Sequence, residues 1–337
     1  MHLRDIDYEL PESRIAQRAI EPRDAAKLLV DRGELEPIDS TVANLCEFLR
    51  EGDVLVVNDT RVLPSRLRLQ RRTGGSAEVL LLESLTSDNA TWEALIRPAR
   101  KLREGEVLEY FGRPVVKIGA RTAAGDPFMV HVLDDAPLEW ISRIGSMPLP
   151  PYIRADLSDR ERYQTVYAQR AASAAAPTAG LHFTPQLLQR IQEMGVRTER
   201  VELVVGLDTF KPVTVDDPRD HHIHTEMYSV PPGVLESCRT ARRVVAVGTT
   251  ATRALESAAT TGELSGRTGL FITQGYEWKV VDVLMTNFHM PRTSLLLLIH
   301  AFIGDRWRRL YEHALHGDYR FLSFGDAMLL DRHANGE

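Results

Sequence analysis

Three short segments of the 337-residue chain concentrate side chains that can move protons or hold polar ligands. Ala176-Pro177-Thr178-Ala179-Gly180-Leu181-His182-Phe183 runs straight into a helix start. Unsatisfied N–H groups at such a start suit an anion or a carboxylate, and His182 is of the right type for a proton carrier. A capping loop with a packed histidine would use the same residues. Thr286-Asn287-Phe288-His289-Met290-Pro291 sets an amide, an aromatic ring and an imidazole where a strand empties into a turn, a grouping suited to a flat heterocycle. Its competitor is a buried structural turn. Asp220-His221-His222-Ile223-His224-Thr225-Glu226 holds three histidines and two carboxylates. This spacing is not the helical His-Glu-x-x-His pattern and no cysteine completes a zinc set, so acid–base or substrate contacts are preferred to a metal. His224 beside Glu226 would then be a base with its orienting partner.

Two further segments are less specific. Val245–Arg253 reads as strand, glycine turn and helix, with the amides of Gly248, Thr249 and Thr250 able to cradle an acidic group and Glu256 one turn beyond Thr252. It lacks the Gly-Lys-Thr of a P-loop and the dinucleotide glycine fingerprint, and capping by Thr249 or Thr250 explains much of it. Thr60–Gly75 contains Arg61, Arg66, Arg68, Arg71 and Arg72 and no acid. As a strand, Arg66–Arg72 would put Arg66, Arg68, Gln70 and Arg72 on one face and Leu67 and Leu69 on the other. With Arg97, Arg100, Lys101 and Arg103 this could make a phosphate-binding face, although taken alone it reads better as a solvated edge strand protected by charge.

These segments need a scaffold. Val54–Val57 is a β-branched apolar run that stops at Asn58-Asp59-Thr60-Arg61, and buried strands of open α/β sheets carry function at such ends. From about Val62 to Trp140 short alternating runs take over: Arg66–Gln70, Ala77–Glu83, Trp92–Ile96, Val107–Tyr110, Pro114–Ile118 and Phe128–Leu133. Turn residues separate them, which predicts a small β-barrel or sandwich. The second half alternates again, with helix Pro185–Met194 (Thr184 as N-cap), strand Thr198–Val205, helix Val234–Arg242 and strand Val244–Val247. Helix Ala251–Ala259, strands Gly269–Ile272 and Val280–Met285, and helix Ser294–Phe302 follow. The pattern predicts an α/β fold, a layered, mainly parallel or mixed sheet flanked by helices and interrupted by a β-rich, barrel-like insertion. Residues 1–62 and 148–337 are assigned to one discontinuous catalytic domain and 63–147 to the insertion.

Composition excludes several classes. Hydrophobic residues make up 43% and charged residues 26%, ordinary globular values rather than disordered ones. Two cysteines, Cys46 and Cys238, are too few for a disulfide framework, a structural zinc site or a three-cysteine iron–sulfur cluster, and they fit a reducing compartment. The first seven residues are no signal peptide, and the apolar stretch at Leu295–Ile299 is far short of the roughly 20 residues of a spanning helix. A soluble, cytoplasmic protein without membrane contact is expected. A net charge of −6 argues against non-specific coating of nucleic acid but allows a local basic face.

Seven motifs then occur in one order: Asn58-Asp59-Thr60-Arg61-Val62, Ala176–Phe183, Gly206-Leu207-Asp208-Thr209-Phe210-Lys211-Pro212-Val213, His221–Glu226, Val247–Arg253, Thr286–Pro291 and Tyr319–Met328. Together they resemble the S-adenosylmethionine:tRNA ribosyltransferase-isomerase family of queuosine biosynthesis, over nearly the whole chain from Asp7-Tyr8-Glu9-Leu10-Pro11 to Leu330.

The resemblance implies transfer of the ribosyl part of S-adenosylmethionine to the aminomethyl group of a 7-aminomethyl-7-deazaguanine base at the tRNA wobble position. Isomerisation to an epoxycyclopentane gives epoxyqueuosine, and adenine and methionine leave. S-adenosylmethionine is then a consumed substrate, tRNA the partner, and no metal or bound cofactor is expected; the protein is expected to be a monomer. Under this implication His182, His224 and His289 take the proton-transfer roles, with Glu226 beside them. Thr178, Gly180, Gly248 and Thr249 hold the amino-acid or ribose end, and Phe288 and Tyr276 stack on a base. Asn58, Asp59, Arg61 and Asn287 complete the polar lining, with Phe183, Asp208 and Thr209 also against substrate. Arg66, Arg68, Arg72, Arg100 and Lys101 are the RNA-binding candidates. Replacing His289 by alanine is expected to leave folding intact and abolish adenine release.

Asp208 stands where the family usually has glycine, Gln274 where it has proline, and Ala171-Ala172 where it has a proline–glycine turn. A carboxylate at position 208 near a sulfonium would aid binding or shift a neighbouring pKa. Two other classes compete with this reading. A different S-adenosylmethionine-dependent RNA-modifying transferase, such as a methyltransferase, lacks support from any glycine-rich Rossmann fingerprint. A non-catalytic RNA-binding protein would not need His182, His224 and His289 at loop ends.

Overall fold

The computed structural model describes residues 3–122, 127–206, 215 and 225–334. Asp208, Thr209 and His224, and with them most of the Gly206–Val213 and His221–Glu226 motifs, lie outside the described residues. The chain separates into two compact units. One comprises Met1–Thr60, Pro151–Gln169 and Pro177–Glu337, the other Arg61–Pro150 and Arg170–Ala176.

The first unit is built on a nine-stranded sheet. At its centre Arg197–Leu203, Val54–Asn58, Val244–Val247 and Val283–Asn287 lie side by side and parallel. Every residue of Val54–Asn58 is buried, as expected of a β-branched run covered on both faces. Ala327–Asp331 runs antiparallel to Val283–Asn287 and parallel to Lys27–Val30, and Ile38–Thr41 closes that side. On the other side Glu226–Ser229 and Ser265–Thr268 add two antiparallel strands, so the sheet is mixed.

Helices cover both faces. Leu187 and Ile191 of helix Pro185–Glu193 share a core with Leu55, Val57, Val245, Val247 and Met285. That helix starts as its sequence dictates, with the Thr184 hydroxyl accepting from Leu187 N at 3.1 Å and Pro185 in the first turn. Helix Gly248–Thr261 packs across the central strands through Ala251, Ala254, Leu255 and Ala258, all fully buried. Gly269–Ile272 is not a strand: the pairing segment is Ser265–Thr268, whose polar residues gave no alternation to read. Strand Glu226–Ser229 likewise carries little apolar signal, whereas helix Arg306–His316 buries Trp307, Leu310, Tyr311 and Ala314 at regular helical spacing and Ala327–Asp331 is a buried apolar run. No helix among the described residues is long and apolar enough to cross a membrane.

In the second unit all six alternating segments form strands: Arg66–Arg71, Ser76–Ser84, Thr91–Arg97, Val107–Tyr110, Arg113–Arg121 and Phe128–Val132. They close into an antiparallel barrel filled by Leu67, Leu69, Val79, Leu81, Trp92, Val116, Ile118 and Val130, with Trp140 and Ile141 of helix Pro137–Ile144 joining that core. Barrel closure corrects one expectation. Arg66–Arg71 is paired on both sides and is no edge strand.

Candidate active site at the carboxyl edge of the central strands

The parallel strands end together at Asn58, Val247 and Asn287, and Ala327 pairs with Asn287 at the same edge. Ligands of open α/β sheets bind outside such carboxyl ends. The 3-10 turn Thr178–His182 lies against this edge and is tied to it by one amide. Thr178 Oγ1 donates to Asn287 Oδ1 at 2.8 Å, while Asn287 Nδ2 faces His182 Nε2 at 3.2 Å and Asp326 O at 3.4 Å. An amide nitrogen can only donate, so Nε2 of His182 accepts and the ring proton sits on Nδ1. Burial pushes the His182 pKa down to about 4; Arg320, Arg162 and Arg23 add repulsion, against a hydrogen bond with the Arg23 backbone. His182 is therefore neutral at pH 7, with Nε2 engaged. Beside it Ala19, Arg23, Arg162, Ser323 and Phe324 line a shallow depression with a cavity volume of only about 10 Å³.

Gly180 allows this turn to close. A Cβ there would lie 2.1 Å from the Tyr167 hydroxyl and 2.9 Å from Thr165 Cγ2. Gly248 holds φ +87°, and helix Gly248–Thr261 starts from Val247 with no side-chain cap. The threonines thus do not cap it: Thr249 and Thr250 are buried, and Thr252 bonds back to Gly248 O at 3.1 Å. The first-turn N–H groups keep the polarity that favours negative charge.

Glu226 is buried at the same edge, accepting from Gly206 N at 2.9 Å through Oε1 and pairing with Arg253 through Oε2. Arg253 also donates to Leu270 O at 3.2 Å. One partner of Glu226 is thus a guanidinium, while His224 lies outside the described residues.

Other expected site residues serve the scaffold instead. Asn58 acts as a backbone mimic, its amide bonding Leu203 O and N at 3.0 and 3.2 Å and Thr60 N at 3.2 Å. Phe183 is fully buried in the core under the sheet. Phe288, expected to stack on a base, is fully buried against Phe321, Tyr311 and Tyr319 at centroid distances of 4.7, 5.3 and 5.6 Å, so protein occupies its faces. His289 meets this cluster through its backbone, its carbonyl accepting from the Tyr8 hydroxyl at 2.5 Å. Its ring Nε2 meets Thr286 Oγ1 at 2.9 Å, its backbone N–H donates to the Tyr311 hydroxyl at 2.9 Å, and burial pushes the imidazole pKa down to about 3. Tyr276 donates to Glu256 at 2.9 Å, and Glu256 also accepts from the backbone of Lys279, Val280 and Val281. Glu256 therefore staples the 276–281 loop rather than facing the Gly248 turn.

Asp59 is half-buried in the first unit, and its carboxylate raises the pKa of Tyr167 after the larger effect of burial. Arg61 belongs to the second unit, in strand Arg61–Val62. Of the barrel arginines, Arg66 pairs with Glu78 at 2.8 Å, Arg71 with Glu106 at 2.6 Å and Arg72 with Glu109 at 3.4 Å. The acids missing from Thr60–Gly75 come from neighbouring strands. Arg68, Arg100 and Lys101 are exposed. Among the described residues no three histidine, cysteine or acidic side chains converge as metal ligands.

Arg253, Asp326 and Tyr167 were not singled out from the sequence. Arg253 and Asp326 do fall inside motifs quoted above; Tyr167 carries no local signal.

Comparison with known proteins agrees with this architecture. A family model described as queuosine biosynthesis protein matches residues 3–330. An S-adenosylmethionine:tRNA ribosyltransferase-isomerase from Synechococcus elongatus is 45% identical, over 98% of this chain and 96% of its own. The protein of the same name from Symbiobacterium thermophilum is 46% identical, over 98% of this chain and 100% of its own. The crystal structure of an S-adenosylmethionine tRNA ribosyltransferase from Thermotoga maritima shares the fold, with 34% identity, a TM-score of 0.55, and coverage of 96% of this chain and 99% of that one. The chain belongs to the queuosine biosynthesis protein family.

Proposed function

We propose that the protein is an S-adenosylmethionine:tRNA ribosyltransferase-isomerase. It moves the ribosyl unit of S-adenosylmethionine onto the 7-aminomethyl-7-deazaguanine base at the wobble position of tRNA, giving epoxyqueuosine and releasing adenine and methionine. The observation that carries this reading is the Thr178–Asn287–His182 network at the carboxyl edge of the sheet, in a chain matched by the family model almost end to end. S-adenosylmethionine is a consumed substrate in this reading, and no metal or bound cofactor takes part. The protein acts as a monomer in the cytoplasm.

The sulfonium acidifies the adjacent 5′ carbon, so a base there initiates loss of adenine. The strained electrophilic sugar must then meet a neutral amine before water does. His182, neutral and held on both sides, is a positioning residue for the Thr178–Phe183 turn. His289 positions the Asn287–Pro291 turn in the same way. The proton-transfer role stays with His224 and the neighbouring Glu226. The uncapped start of helix Gly248–Thr261 suits the carboxylate end of the substrate.

Adenine release tests the proposal. Purified protein with S-adenosylmethionine should release adenine on tRNA bearing 7-aminomethyl-7-deazaguanine, and none on the same tRNA with guanine or without RNA. Release without RNA, or methyl transfer to RNA, overturns it.

A further inference from the structure

Buried hydroxyls nearly always find hydrogen-bond partners, because an orphan keeps its desolvation cost. Three of them at the carboxyl edge have none among the described residues: Thr165 Oγ1, the Tyr167 hydroxyl and Thr250 Oγ1. Their residues are 4%, 6% and 7% exposed. Thr165 and Tyr167 adjoin Gly180, and Thr250 adjoins Gly248. The Tyr167 hydroxyl and Thr165 Cγ2 lie 2.1 and 2.9 Å from where a Gly180 Cβ would be. Next along the turn, Ala179 Cβ lies 3.5 Å from where a Gly248 Cβ would be, and Thr250 Oγ1 lies 3.7 Å from that same point. The three residues therefore stand along the strip where Ala179-Gly180 meets Gly248, beside the Asn287 network.

We infer that Thr165, Tyr167 and Thr250 form a subsite for a neutral diol, the ribose 2′- and 3′-hydroxyls of S-adenosylmethionine, an assignment that rests on the ribosyl-transfer reading above. A hydroxyl both donates and accepts, so three of them match an alcohol pair. A purine would call for an open aromatic face, and the carboxylate end of the substrate is met by the first-turn N–H groups of helix Gly248–Thr261 rather than by hydroxyls. None of the three side chains is charged. The charges acting on Tyr167, Asp59 and Arg200, are of opposite sign. A site built to bond a substrate hydroxyl discriminates strongly against an analogue that lacks it.

Equilibrium binding of S-adenosylmethionine and its 2′-deoxy and 3′-deoxy analogues tests this on wild type and on Tyr167→Phe, Thr165→Val and Thr250→Val. Wild type should bind at least one deoxy analogue about tenfold or more weakly. Tyr167→Phe should lose about that factor in affinity for S-adenosylmethionine, and with it the discrimination, while its melting temperature stays level or rises. The two valine variants should follow the same pattern. Wild type that does not discriminate, variants that keep wild-type discrimination, or a lowered melting temperature with unchanged binding would each overturn the subsite. Adenine release separates the two readings. Wild type that discriminates the diol but releases no adenine on substrate tRNA sinks ribosyl transfer alone; release without discrimination sinks the subsite alone.

Discussion

Lowering the pH from 7 to 5 should destabilise the protein through two buried imidazoles. Burial holds His182 at about 4 and His289 at about 3, against 6.5 in an unfolded chain, and for His182 three arginines add to the effect. Between pH 6.5 and those folded values the unfolded chain binds more protons than the native one. Stability therefore rises with pH across that window; it is fully present above 6.5 and is lost as pH falls toward 4 and 3. Each histidine sets a slope of up to ~1.4 kcal/mol per pH unit, so 1.5 pH units below 6.5 the pair has removed roughly 4 kcal/mol. Whole domains typically have ~5–15 kcal/mol. Urea unfolding at pH 7, 6 and 5 reads the slope, and NMR titration of the two rings reads the pKa values. His289→Gln retains a polar group for Thr286 and should flatten the slope by up to ~1.4 kcal/mol per pH unit, since contributions from carboxylates are common to both proteins and cancel. An unchanged slope in that variant, or a ring titrating near 6.5, refutes the reasoning. The imidazole would then be hydrated and available for proton transfer at neutral pH.

Further consequences are open to measurement. His289→Ala should lower stability by about 2–4 kcal/mol in urea unfolding, because it leaves a cavity at a buried position and takes the imidazole partner from Thr286; this replaces the sequence-based expectation of intact folding. Gly180→Ala drives a methyl group against the Tyr167 hydroxyl and should cost about 1–3 kcal/mol in thermal unfolding, with a matching fall in adenine release. Glu226→Gln leaves Arg253 as an uncompensated buried cation, an expected loss of about 3–5 kcal/mol that a wild-type denaturation midpoint would contradict. If the barrel meets RNA, Arg68→Ala, Arg100→Ala and Lys101→Ala should each lower the salt slope of tRNA binding by about one, whereas Arg66→Ala, whose charge is already paired, should change it less. An unmoved slope in the triple variant removes the barrel from the interface.

Local pattern carried much of the architecture. Val54–Val57 is β-branched throughout and forms a strand covered on both faces, and the six alternating runs between Arg66 and Val132 became six strands because one side of each is withdrawn from water. Thr184-Pro185 marked a helix start that the structure contains. Such features are decided within a few residues, by side-chain period and backbone chemistry. Which strands pair is not. Barrel closure depends on Phe128–Val132 meeting both Thr91–Arg97 and Arg113–Arg121, and Ser265–Thr268 is a strand only because Glu226–Ser229 offers it a partner. The site shows the same division. The motifs containing Thr178, His182 and Asn287 stand out in the sequence, but His182 is neutral because neighbouring elements exclude water and bring Arg320 near, while Asn287, 105 residues away, meets its Nε2. Phe288 has the sequence setting of a ligand contact, but Tyr311, Tyr319 and Phe321 fill the space around its ring, and the His289 imidazole is buried against Thr286. The sequence alone determined which residue types reach the carboxyl edge. Only the tertiary structure decided which of them meet water, a partner or another side chain, because desolvation and hydrogen-bond pairing depend on neighbours far away in the chain.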